Sequence, residues 1–231
     1  MHQIIPDLYN FSGMILGRVY LIKDPDGLTI VDTALSFSVP RIVRQLREAG
    51  YKPRDVKRIL ITHGHPDHAG GLPKLKRITR AQVVASTIDC PVIEGRRPIP
   101  VSTPLARLQR LLPIPRMKLK GTKVDRTVTD GDTIPEVMGG LQVIATPGHT
   151  MGHVSFWQPE RRMLFCGDVM INVGELILPA APFTVDMEEN KRSVRRLAAL
   201  DTQTLCCGHG TPIAGDAAGA IKAFADKLSE A

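Results

Sequence analysis

A chain of 231 residues can bury a sizeable core, and 43 % hydrophobic with 23 % charged residues is the composition of a globular protein, not of a disordered tail. No apolar run approaches the roughly 20 residues of a membrane-spanning helix, and Met1-His2-Gln3-Ile4-Ile5-Pro6-Asp7 lacks the basic and apolar regions of a secretory signal. Cys90, Cys166, Cys206 and Cys207 form no Cys-x-x-Cys pair, which argues against a disulfide framework or a zinc knuckle and for a reducing, cytoplasmic setting. The net charge of +7 raises nucleic acid as a partner. The excess is local, however. Between Cys90 and Arg126, the bases Arg96, Arg97, Arg107, Arg110, Arg116, Lys118, Lys120, Lys123 and Arg126 stand against only Glu94 and Asp125, with no aromatic residue to stack on bases. Nucleic acid is therefore not expected, and a carboxylate-bearing substrate or partner fits the charge better.

In chain order, residues 1–35 read as a meander of strands. Gly13 to Ile22 is mostly apolar, Asp24-Pro25-Asp26-Gly27 is a turn, and Leu28 to Val31 is the next strand. Ser38 is placed to cap a helix on which Val39, Ile42, Val43, Leu46 and Ala49 recur at helical spacing, with Gly50 closing it. Ile59-Leu60-Ile61 is a short buried-strand run. Leu72 to Ile78 follows as helix and Ala81 to Ala85 as strand. The proline-rich, basic segment 90–126 holds one amphipathic piece, with Thr103 as cap, Pro104 in the first turn, and Leu105, Leu108, Leu111 and Leu112 on one face. It is read as an insertion that packs normally, covers a site as a lid, or makes a homodimer contact. Strands are expected at Val124–Thr129, Leu141–Ala145, Val154–Trp157, Met163–Cys166 and Thr204–Cys207. Helices are expected at Met187–Leu200, with Asp186 and Glu189 as a capping box, and at Asp216–Leu228. Strand, helix, strand and loop occur twice, so two β- and α-containing halves packed sheet to sheet with helices outside form the economical architecture.

The most informative stretch is Thr62-His63-Gly64-His65-Pro66-Asp67-His68. Three histidines and an aspartate fall within six positions at the mouth of a buried strand, where α/β sheets place their sites. Imidazole and carboxylate are zinc-type ligands, and four so close imply more than one metal. Three later strands end the same way, beside glycine. Val143-Ile144-Ala145-Thr146-Pro147-Gly148 leads to His149, Met163-Leu164-Phe165-Cys166-Gly167 to Asp168, and Leu205-Cys206-Cys207-Gly208 to His209. All three are expected at one rim with the early cluster.

With these residues in view, the chain resembles the metallo-β-lactamase-fold hydrolases from Ile30-Val31-Asp32-Thr33 to Gly208-His209-Gly210-Thr211-Pro212, and the signature His-x-His-x-Asp-His stands at His63–His68. The resemblance implies an α/β fold: an αββα sandwich of two mixed β-sheets, helices on the outer faces, formed by residues 1–231 as a single domain. It implies two divalent metal ions, zinc foremost, with iron or manganese as alternatives. By resemblance, His63, His65 and His149 hold the first, Asp67, His68 and His209 the second, and Asp168 bridges them. A hydroxide shared by the metals would be the nucleophile. Asp67 would orient it or pass a proton to the leaving group, and Asp32 holds the histidine loop or merely caps a turn. His153 is read as a packed structural histidine.

Within the resemblance, β-lactamases usually carry cysteine or serine where Asp168 stands. Glyoxalase II enzymes share the ligand set, and their longer members add a helical glutathione-binding region not recognised here. Lactonases typically place tyrosine where Ile171 stands. The expected substrate is thus a small lactone, thioester or related ester, with β-lactam or phosphoester cleavage as side activities. The alternatives are a mononuclear iron enzyme resembling persulfide dioxygenases, which the intact second ligand set opposes, and an RNA-processing nuclease using the basic segment. Ile171, Val173, Leu176, Ile177, Leu178, Pro179 and Phe183 are read as pocket lining or plain core.

Overall fold

Alternate side chains of the early strands go to two different layers, and this alternation builds the fold. In the computed structural model, which describes residues 1–102 and 116–229, Ile30, Ile59 and Val83 enter one apolar cluster, while their neighbours Val31, Leu60 and Val84 enter another. A strand with both faces apolar must be covered on both sides. The strands are β1 (His2–Ile5), β2 (Leu8–Asn10), β3 (Tyr20–Asp24), β4 (Gly27–Val31), β5 (Val56–Ile61), β6 (Gln82–Ser86) and β7 (Arg126–Val128), paired in that order as one sheet. Pairing is antiparallel from β1 to β4 and parallel from β4 to β7. One face is covered by α1 (Val39–Glu48) and α3 (Leu72–Thr79), which bury Ile42, Leu46, Leu72 and Leu75. Between β5 and α3 lies the single turn α2 (Pro66–Ala69), and α4 (Cys90–Ile93) follows β6.

The second sheet contains β8 (Thr133–Ile134), β9 (Leu141–Ala145), β10 (Val154–Gln158), β11 (Met163–Gly167), β14 (Thr204–Cys207) and β15 (Ile213–Ala214). Its order is β15-β14-β11-β10-β9-β8, with β11 and β14 parallel and the other pairs antiparallel. The hairpin β12 (Ile171–Asn172) and β13 (Leu176–Ile177) stands apart. Phe156, Phe165, Met163 and Val143 meet Leu8, Ile22, Leu60 and Val84 between the sheets. Tyr20 fixes this seam: its ring lies edge-on to Phe165 at 5.5 Å and its hydroxyl donates to the Cys207 carbonyl at 2.6 Å. Outside the second sheet, α5 (Met187–Ala198) and α6 (Ala217–Lys227) bury Val194, Leu197, Ile221 and Phe224 with Trp157, Leu164 and Leu205. The order helix, sheet, sheet, helix is the expected αββα sandwich of mixed sheets.

Several expectations shift locally. The apolar stretch 13–22 is strand only from Tyr20, because Gly13 and Gly17 take positive φ (67° and 70°) and bend the chain into a loop. Ser38 makes no side-chain cap, since a 3-10 turn already leads into α1. Half of the capping box forms: Asp186 Oδ1 accepts from the Glu189 N–H at 2.9 Å, but the Glu189 carboxylate turns to Arg192. α5 ends at Ala198, two residues before Leu200. The amphipathic piece expected at Thr103–Leu112 lies outside the described residues, as does any lid or dimer role resting on it. No helix among the described residues is long and apolar enough to cross a membrane.

Candidate metal centre

Every strand that carries a candidate ligand ends at the same edge of the sandwich. β5 runs into His63–His68 from the first sheet. From the second sheet, β9 precedes His149, β11 leads directly into Asp168 and β14 precedes His209. The structure brings all seven expected residues together. Donor atoms of His63, His65 and His149 lie within 4.8 Å of one another, as do those of Asp67, His68 and His209, and those of His63, His68 and Asp168. Asp168 sits between the groups, with Oδ2 3.4 Å from His149 Nε2 and 3.2 Å from His209 Nε2. His209 Nε2 is also 3.2 Å from Asp67 Oδ2 and 3.3 Å from His68 Nε2.

The outward nitrogens are fixed from behind. Asp32 Oδ2 lies 2.8 Å from His68 Nδ1 and accepts from the Thr62 hydroxyl at 2.8 Å, and its Oδ1 accepts from Thr62 N–H at 2.9 Å. Thr62 Oγ1 is in turn 3.1 Å from His63 Nδ1. Asp32 adopts a left-handed backbone (φ 59°), a strained conformation held by these bonds. Thr184 Oγ1 stands 3.2 Å from His149 Nδ1. His153 is not among the convergent donors. Its Nδ1 meets Thr146 Oγ1 at 2.8 Å and its Nε2 accepts from the Asp168 N–H at 3.0 Å, so this packed histidine positions Asp168.

Asp89, just past the end of β6, is the residue that the sequence reading passed over. Its buried Oδ2 accepts from the Gly64 N–H and from the Thr150 hydroxyl, both at 2.8 Å, and so ties the His63–His65 loop to the His149 loop. Its signal was the one used elsewhere, an acidic residue at the mouth of an apolar strand. Gly64 also packs tightly on Val92, where a Cβ would lie 2.9 Å from Cγ1.

The donor set divides by charge. Burial, reinforced by the neighbouring His68 and His65, pushes His149 down to about 3 against the pull of Asp168. Burial likewise holds His63 well below its ordinary value and lowers His65. These three are neutral imidazoles, the form that binds cations. On the other side, burial disfavours charge on both Asp67 and His209, but their mutual contact, with His68 and Asp168, outweighs it. Asp67 is held at about 2 and His209 raised to about 9.

Whether divalent ions suit this pocket is tested by its buried atoms. His63 Nε2 and Asp168 Oδ1 are buried with no hydrogen-bond partner. Leaving such atoms unpaired costs about 1–3 kcal/mol each. Nitrogen donors at about 2.1 Å from a tetrahedral ion stand roughly 3.4 Å apart, and His65 Nδ1 to His149 Nε2 is 2.9 Å, so this pair would open by about half an ångström around an ion. The donor chemistry, imidazoles with a buried unpaired nitrogen and carboxylate oxygen, suits a divalent ion.

A model of the Metallo-beta-lactamase superfamily matches residues 14–209. The chain belongs to the metallo-β-lactamase superfamily. Among superfamily relatives, the probable metallo-hydrolase YflN of Bacillus subtilis is 28 % identical over 87 % of this chain and 83 % of its own length. A hydroxyacylglutathione hydrolase of Rhodospirillum rubrum is 32 % identical over 88 % of this chain, which spans only 66 % of that enzyme. Among solved structures, a metallo-beta-lactamase family protein from Thermus thermophilus superposes with a TM-score of 0.76 and 25 % identity, covering 99 % of this chain and 81 % of its own. BJP-1, a subclass B3 metallo-beta-lactamase of Bradyrhizobium japonicum, gives 0.75 and 27 %, covering 99 % and 90 %. The chain is thus a hydrolase of this superfamily with a histidine-rich site suited to divalent metal.

Proposed function

We propose that the chain is a two-metal hydrolase of small lactones, thioesters or related esters, with β-lactam and phosphoester cleavage as side activities. The observation that carries this reading is Asp168, one carboxylate standing between two complete donor sets. His63, His65 and His149 would hold one ion, Asp67, His68 and His209 the other, and Asp168 both. Bound divalent ions, zinc foremost with iron or manganese as alternatives, supply Lewis acidity and a water of lowered pKa. Asp67 has two tasks. Its side chain is one-quarter exposed, so it faces the opening. As an anion it accepts a hydrogen bond from the attacking water and so orients it, and it relays a proton to the departing oxygen or sulfur as the acyl bond breaks. Asp32 holds His68 Nδ1, and Thr184 holds His149 Nδ1, so that Nε2 of each points inward. The hydroxyacylglutathione hydrolase relative supports a thioester, and the β-lactamase likeness supports the side activity.

The test is a hydrolysis panel of lactones, thioesters, β-lactams and phosphodiesters run on the metal-loaded wild type, His65→Ala and Asp67→Ala. One substrate class should stand out, and Asp67→Ala should lower its kcat/KM by about 10²–10⁴. Equal cleavage by wild type and Asp67→Ala would remove the proton-transfer role. One iron per chain with oxygen uptake would replace the reading by the oxygenase.

A further inference from the structure

His209 is the ligand candidate with the least intrinsic support. It stands in Gly208-His209-Gly210, and Gly210 adopts φ 83°. Two flanking glycines leave the backbone free, so its conformation must be imposed from outside. Part of that grip comes from neighbouring loops: Gly208 N–H donates to Gly167 O at 2.7 Å and Asn172 N–H to His209 O at 3.3 Å. Beside the Asn172–Gly210 bridge, a further clamp comes from one residue far away in sequence. Arg18 donates its backbone N–H to Gly208 O at 2.6 Å and its Nε–H to Gly210 O at 2.5 Å, bracketing His209 on both sides. The preceding residue, Gly17, lies so close to Asp67 that a Cβ would come within 2.0 Å of its carbonyl oxygen. The loop before β3 therefore presses on Asp67 and grips His209, the two outer members of one donor group.

We propose that Arg18 is a positioning residue for the second metal ion: it holds His209 in ligating geometry through the carbonyls on either side. This rests on the two-metal reading above. The first donor group, His63, His65 and His149, contains neither gripped residue, so the effect is selective. Charge does not explain the role, since a cation beside a cation site would only weaken binding. The directed Nε–H bond does, and lysine cannot reproduce it.

The experiment is stepwise cobalt(II) titration of metal-depleted protein, followed by visible absorbance, on wild type, Arg18→Lys and Arg18→Ala. Wild type should take up two ions. Both variants should weaken the second step about 10–100-fold, as loss of a residue supporting a ligand does, and leave the first within about twofold. Thermal melting of the metal-depleted proteins checks folding, and Arg18→Lys, which keeps the backbone bond and the charge, serves if Arg18→Ala misfolds. Two unchanged steps, or both weakened together, would overturn the role of Arg18 while leaving the two-metal reading intact. Uptake of a single ion by wild type would sink that reading and this inference with it.

Discussion

Replacing Asp89 with alanine strips the acceptor from the Gly64 N–H and from the Thr150 hydroxyl in a single step. Each buried donor left unpaired costs about 1–3 kcal/mol, and the two loops it joins carry His65 and His149. Denaturant unfolding of Asp89→Ala should show a loss of that order, and an unchanged midpoint would contradict the hub. Proton linkage gives a second expectation. Burial opposes charge on His209, but Asp168 and Asp67 raise it to about 9, well above an ordinary histidine near 6.5. Without metal, the stability from this proton is fully present below about 6.5 and is lost as pH rises through about 9. At pH 7.5 the imidazole must shed its proton to bind a cation, so metal uptake should acidify a weakly buffered solution, and the release should fade well above 9. A pH-indicator titration reads both. The histidine cluster was legible because four metal-capable side chains in six positions seldom serve anything else. Thr184 and Arg18 were not, because a lone threonine or arginine acquires its role only from partners distant in sequence; Asp89 carried the strand-mouth signal but no neighbouring ligand-type residue to set it apart.

Elements matter here by what their ends hold. The N-terminus of α5 grips the His149 loop: Asp186 N–H donates to Gly148 O at 3.0 Å, Val185 N–H to His149 O at 3.2 Å, and Ser193 Oγ to Pro147 O at 2.7 Å. Gly148, at φ 132°, meets this helix so closely that a Cβ would lie 2.2 Å from Asn190 N. Gly148→Ala should therefore push the loop from the helix, costing more than about 1 kcal/mol. It should also weaken the first metal step in a zinc-competition titration; wild-type affinity would show that the loop tolerates displacement. Strands β9 and β14 have the limits read from sequence, because each is a short apolar run bounded by glycine or proline. The 13–22 stretch misled because composition does not distinguish an apolar loop from a strand, and only the glycine φ values make it turn toward Asp67 and Gly208.

For the whole molecule, each donor group draws on both sheets: His63 and His65 with His149, and Asp67 and His68 with Asp168 and His209. Ions bound only by the folded state stabilise it by about 2.7 kcal/mol when free metal is 100 times the dissociation constant. Chelator treatment should lower the melting temperature by several degrees in calorimetry, and zinc should restore it. Coincident melts with and without chelator would mean that the sheets hold without help. The αββα arrangement itself was legible through a signature motif. Periodicity alone yielded two similar halves but not the strand order, which depends on pairings such as β11 with β14 across an intervening helix.

The Tyr20 hydroxyl on the Cys207 carbonyl joins the sheets just behind the rim, two residues before His209. It acts as a fulcrum: the layers cannot drift apart at their open edge without levering this bond. A chain stripped of divalent metal should loosen from this rim inward, so its earliest cleavage by a protease should fall in the 63–71 and 147–152 loops, while the far ends of the strands stay intact.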